Sequence, residues 1–168
     1  FGREAEAEEL VAYFTDKLTY IQTQLKDVPR KSLYFEYRML GKTAVPDDYF
    51  YKMVEYSGAD NIFADAKGAQ VDQEAIIEKN PQYIVKVADA NAYSSYQPPT
   101  IEQKEAIKQE LVSRSGWAGI DAVRNDRILL LSHYLHGGAS KLMGTIYIAK
   151  FLYPEYLLEL HPEEVFKT

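Results

Sequence analysis

Apolar side chains recur at Leu10, Val11, Phe14, Leu18, Ile21 and Leu25, in steps of one, three or four. That spacing is one stripe of a 3.6-residue period and predicts an opening helix within residues 1–28, ended by Pro29. Glu4, Glu6, Glu8 and Glu9 crowd its first turns, where the helix dipole favours negative charge. The pattern then shortens. Ser32–Arg38 (SLYFEYR), Tyr83–Val87 (YIVKV) and Arg127–Leu131 (RILLL) are brief apolar runs that predict buried strands, and Asn61–Ala64 adds a very short one. Helical patterns separate them. One covers Tyr49–Tyr56, with Asp47 or Asp48 as cap and Gly58 as stop. A second carries Ala75, Ile76 and Ile77, with Asp72 as cap and Pro81 beyond its end. Thr100 and Gln103 form a capping box that opens a third, running to about Ser113. Trp117–Val123 reads as a short irregular or helical piece. A stripe from Leu142 to Phe151 predicts a further helix ending at Pro154, and Pro162 opens a last short one.

Strands that alternate with helices predict an α/β fold: a three-layer αβα sandwich around a mainly parallel sheet, in one Rossmann-like lobe. Ligands of such sheets bind at the loops leaving the carboxyl ends of the strands. Here those loops are Tyr37–Asp48, Ala88–Pro99 and Ser132–Ser140. The opening helix has no preceding loop or cap, so the chain is expected to continue upstream.

Composition narrows the function classes. The chain has 168 residues, 46% of them hydrophobic, enough for one domain with a real core. Nineteen basic against 25 acidic residues give a net charge of −6, the wrong sign for a nucleic-acid binder. With no cysteine there is no disulfide, thiolate metal site or thiol nucleophile. No apolar run is long enough for a membrane span. Fourteen tyrosines are an unusual share, and tyrosine suits positions where a large ring makes contact while its hydroxyl stays wet.

Catalytic signatures are missing. There is no G-x-G-x-x-G, and Gly41-Lys42-Thr43 lacks the earlier glycine of a phosphate loop, because position 36 is Glu36. There is no G-x-S-x-G elbow. Gly137 and Gly138 form a loop-to-helix entry that reads as an ordinary helix start, with anion binding as the alternative. His133-x-x-His136 lacks a third ligand at fixed spacing, so its imidazoles read as groups that touch a bound molecule or solvent, not as a metal site. Tyr34, Tyr37, Tyr93, Tyr96 and Tyr134 fall at strand ends and in the loops after them, with core packing as the plain alternative for Tyr34. Arg38 ends the first strand, where it would pair with an anionic ligand. The residues thus describe a binding rim without catalytic machinery; the rivals are a phosphate- or nucleotide-handling enzyme using His133 or His136 as base, and a pure interaction module.

Several segments in order resemble one family: GADNIFAD (Gly58–Asp65), VDQEAIIEKNPQYIV (Val71–Val85), SGWAGIDAVRNDRILLL (Ser115–Leu131) and AKFLYPEYLLELHPEE (Ala149–Glu164). Together they resemble the C-terminal lobe of the substrate-binding proteins of iron–siderophore and cobalamin ABC importers, whose two lobes are joined by a rigid helix. The last segment is most similar to archaeal members. The resemblance covers essentially residues 1–168 and implies that the N-terminal lobe is absent from this chain. It implies a non-enzymatic, extracytoplasmic protein, in periplasm or at a cell surface and anchored through the missing N-terminus. No cofactor is implied. The cargo would be an iron(III)-siderophore-like metal complex, with cobalamin or haem as alternatives, and the partners an ABC permease and the N-terminal lobe. By position, Glu74 matches the glutamate that docks on permease arginines. Tyr37 matches an aromatic ligand contact, and His133 and Tyr134 match ligand-facing positions after the last strand. Gly68 falls near an aromatic contact of cobalamin binders, which counts against cobalamin. Arg38, Asn91, Tyr93 and His136 join the candidate ligand site from loop position alone.

Overall fold

The computed structural model describes residues 2–48, 50–88, 99–136 (for His136 the backbone only) and 140–164. Four parallel strands form one sheet in the order β2-β1-β3-β4, with β1 Ser32–Glu36, β2 Asp60–Asn61, β3 Tyr83–Val87 and β4 Ile128–Leu131. Among the described residues six α-helices surround it: α1 Glu4–Gln24, α2 Tyr51–Tyr56, α3 Gln73–Lys79, α4 Ile101–Val112, α5 Asp121–Arg124 and α6 Ser140–Leu152. Short 3-10 turns occupy Trp117–Gly119, His133–His136 and Pro162–Glu164. The α/β architecture predicted from alternation is the one observed.

Strand periodicity builds the three layers. Leu33, Phe35 and Tyr37 of β1 and its exit, with Val85 and Val87 of β3, pack against Phe14 and Ile21 of α1, Met53 and Val54 of α2, and Ile146 and Ala149 of α6. The alternate residues Tyr34 and Ile84 face the other way, onto Ile76 of α3, Leu111 of α4 and Trp117. β3 is buried on both faces along its whole length, as expected of a central parallel strand.

Local chemistry explains where the elements start and stop. The Thr100 hydroxyl accepts from Gln103 N at 3.1 Å, and the Gln103 side chain accepts from Thr100 N at 2.9 Å, so the predicted capping box is formed. Asp72 precedes α3 as predicted, but its side chain makes no capping hydrogen bond. Nor does Asp48, three residues before α2, occupy the cap position, which is Phe50 without a side-chain capping bond; its Oδ1 instead accepts from Phe50 N at 2.8 Å. The predicted strand Asn61–Ala64 is replaced by the two-residue β2, because edge pairing to β1 covers only Ser32 with Asp60 and Leu33 with Asn61. The apolar stripe of α1 is only half used. Phe14 and Ile21 are buried, whereas Leu10 and Val11 are 50% and 66% exposed.

Candidate functional site

β1, β3 and β4 run parallel, so their carboxyl ends lie at one end of the sheet. β1 exits through a tight turn. Tyr37 N donates to Lys42 O at 2.7 Å, Gly41 N donates to Glu36 Oε2 at 3.1 Å, and Val71 N donates to Gly41 O at 2.8 Å. Gly41 is required there: its φ is +69°, and a Cβ would lie 2.6 Å from Val71 O. The turn leaves Arg38 exposed, with Met39 and Leu40 57% and 54% exposed beside it.

Beneath the turn lies a buried ionic network that sequence reasoning missed. Glu36 and Lys86 are cross-strand partners in β1 and β3. The Glu36 carboxylate, fully buried, pairs with Lys86 Nζ at 2.8 Å and with Arg114 Nη1 and Nη2 at 2.9 and 3.0 Å. It also accepts from the Tyr34 hydroxyl at 2.9 Å. Burial alone pushes the Glu36 carboxyl up, but the Arg114 hydrogen bonds and the Lys86 charge outweigh it and hold the group below its ordinary value. Arg114 in turn stacks 4.6 Å from the Trp117 ring centroid and reaches Glu110 Oε1 at 3.3 Å. Lys86 Nζ also donates to Tyr37 O at 2.7 Å and Arg38 O at 3.1 Å, so all three of its N–H groups are engaged. The signal was one acid and one base placed singly in two otherwise apolar strands.

The predicted site residues fall into distinct environments. Arg38 stands at the rim, and its guanidinium makes no ion pair among the described residues. Tyr37 is 8% exposed and turns into the core. Its ring packs edge-on against Phe35 and Phe50, and its hydroxyl donates to Asp48 Oδ1 at 2.8 Å. Burial first, and then the Asp48 hydrogen bond and charge, push that phenol up. Tyr34 is likewise a core residue, packed edge-on against Phe63 and Trp117. His133 and Tyr134 occupy the 3-10 turn after β4, with ring centroids 5.6 Å apart. Tyr134 is 47% exposed and His133 half-buried. Since β3 lies between β1 and β4, the strands that lead to Arg38 and His133 are about 10 Å apart, two strand spacings. Asn91, Tyr93, Tyr96, Gly137, Gly138 and the His136 side chain lie outside the described residues. Glu74 is elsewhere, exposed in the first turn of α3.

A cavity of about 210 Å³ opens between the β1 turn and α4, lined by Arg38, Leu40, Lys86, Ala88, Ile107, Glu110 and Arg114. Of its charged lining, Lys86 and Arg114 are held in the Glu36 network and Glu110 is paired with Arg114. Among the described residues no helix is long and apolar enough to cross a membrane.

Solved structures share this fold. A TroA-like periplasmic binding protein, FepB, from Veillonella parvula superposes with a TM-score of 0.82 at 24% identity, over 99% of this chain and 52% of that one. A component of an ABC-type Fe3+-hydroxamate transport system from Saccharomonospora viridis gives 0.70 at 22% identity, over 90% and 50%. The molybdate periplasmic binding protein MolA of Haemophilus influenzae gives 0.70 at 20%, over 98% and 49%. The chain thus spans about half the length of the solved structures it matches. No curated protein matches the sequence. The sequence does match the periplasmic binding protein family over residues 1–135, most of its length, and the chain belongs to that family.

Proposed function

We propose that this chain is the C-terminal lobe of the extracytoplasmic substrate-binding component of an ABC importer, and that it captures an iron(III)-siderophore-like complex. Family membership and the half-length match to two-fold longer binding proteins support the importer component. The observation that carries the ligand site is the shared carboxyl end of the sheet, where Arg38 and the His133–Tyr134 pair stand on separate loops. Arg38 offers charge and the Tyr134 ring offers a partly wet apolar face, a combination suited to an anionic chelate. Tyr37 supports the β1 turn from below. Asn91, Tyr93 and His136 remain members of the proposed site by loop position. Capture and release need no covalent chemistry, since the partner ATPase supplies the energy of transport.

Glu74 would dock on the permease. An exposed acid in the first turn of α3 meets an arginine without crossing the ligand site. The Fe3+-hydroxamate transport component among the structural neighbours favours a ferric chelate over cobalamin or haem.

The test is calorimetric titration of the intact two-lobed protein with ferric siderophores, cobalamin and haem, each beside its metal-free form. Saturable binding of a ferric chelate, weakened by Arg38→Ala or His133→Ala, is expected. Glu74→Ala should leave that binding intact and abolish uptake through the permease. Failure to bind any of the three classes would overturn the proposal.

A further inference from the structure

The cavity beside the β1 turn has a more specific chemistry. Its four buried or flanking charges cancel in pairs: Lys86 and Arg114 against Glu36 and Glu110. Lys86 has no N–H left for a ligand, because it spends all three on Glu36, Tyr37 O and Arg38 O. Arg114 spends its fork on Glu36 and Glu110. Arg38 is therefore the one unopposed charge on the cavity wall among the described residues. The remaining wall is apolar: Leu40, Ala88 and Ile107. At about 210 Å³ the space exceeds the roughly 150 Å³ that suffices to hold a benzene ring.

The wall bearing Arg38 and Leu40 is fixed before any ligand arrives. Lys86 holds the carbonyls of Tyr37 and Arg38, and Gln70 Nε2 donates to Leu40 O at 3.1 Å. Glu36 holds Gly41 N. With the backbone pinned, only the rotamers of the half-exposed Leu40 side chain remain to be ordered at the moment of binding.

We infer that this cavity is a subsite for one ring-bearing arm of an anionic chelate, with Arg38 facing the charge and Leu40 and Ile107 facing the ring. The inference rests on the proposed function above and narrows its ligand class. Lys86 and Glu36 are positioning residues that hold the turn.

Two probes separate charge from ring in the intact protein: ferric dicitrate, anionic without rings, and a ferric tris-catecholate, anionic with three. Calorimetry is expected to show a preference for the tris-catecholate. Leu40→Ser, which strips the apolar wall, and Ile107→Trp, which fills the cavity, should each cut that preference about ten-fold, the effect of altering one apolar pocket contact. Arg38→Gln should weaken both chelates. Thermal melts identify any variant that fails to fold, and Leu40→Ser, at an exposed turn, keeps the test open if Ile107→Trp does. A preference unchanged in the folded variants, or dicitrate bound in preference to catecholate, overturns the subsite and leaves the importer reading standing. Binding of neither chelate, nor of any other ferric siderophore, overturns both.

Discussion

Glu36→Gln removes one negative charge from a site that holds two cations. The amide keeps the shape but leaves Lys86 and Arg114, 7% and 11% exposed at their side chains, without a buried counter-charge. Breaking a buried ion pair by deleting one partner costs about 3–5 kcal/mol. Glu36 serves two partners, so the upper half of that range is expected. At this chain length it corresponds to a fall in melting temperature of roughly 8–20 °C. The pH dependence has a definite sign. The folded carboxyl sits below its ordinary value, so its stabilisation is complete above the unfolded pKa of about 4.3 and is lost as pH falls through the folded value. The gap between wild type and Glu36→Gln should therefore be constant above about pH 5 and close on further acidification. Urea denaturation followed by the emission of Trp117, fully buried under the Arg114 guanidinium, measures both. A loss under about 1 kcal/mol, or a gap unchanged down to pH 3, would refute the network's assigned role. The triple variant E36L/K86M/R114M removes the desolvation cost of three charges but orphans the Tyr34 hydroxyl, Gly41 N and the Tyr37 and Arg38 carbonyls, so it should recover only part of the loss.

Three further outcomes are expected. Gly144→Ala should destabilise by about 1–2 kcal/mol in a thermal melt, because a Cβ there lies 2.5 Å from both Leu135 O and Met53 Sδ; the overpacking outweighs the helix-propensity gain of about 1 kcal/mol. A higher melting temperature would show that the His133–His136 turn gives way freely. Asp48→Ala removes the hydrogen bonds that its carboxylate accepts from the Tyr37 hydroxyl and Phe50 N and should cost about 1–3 kcal/mol in urea denaturation, with Tyr37→Phe costing less. Thr100→Ala breaks the capping box at α4 and should cost about 1 kcal/mol, read as a drop in melting temperature of roughly 2–4 °C.

The residues that the sequence read well share one property: their structure is decided within a few positions. The box at Thr100 closes over three residues, and β3 declares itself by an unbroken apolar run around a single lysine. What was misread depends on partners far along the chain. Leu10 and Val11 obey the helical period as faithfully as Phe14 and Ile21, and no local rule says that only the second pair meets α6 and β1. Arg114 lies 78 positions from the carboxylate it binds. Even so, Glu36 and Lys86 were visible as anomalies, since an uncompensated charge inside a buried strand is too costly to stand alone and each therefore announced an unseen partner. Tyr37 illustrates the limit from the other side. Strand parity places it with Leu33 and Phe35 on the α1, α2 and α6 face, so its burial followed from counting by two. Parity stops at the end of β1, where the turn around Gly41 takes over. The exposure of Arg38, Met39 and Leu40 is set by that turn's hydrogen bonds to Glu36, Gln70 and Lys86, residues whose meeting only the assembled sheet brings about.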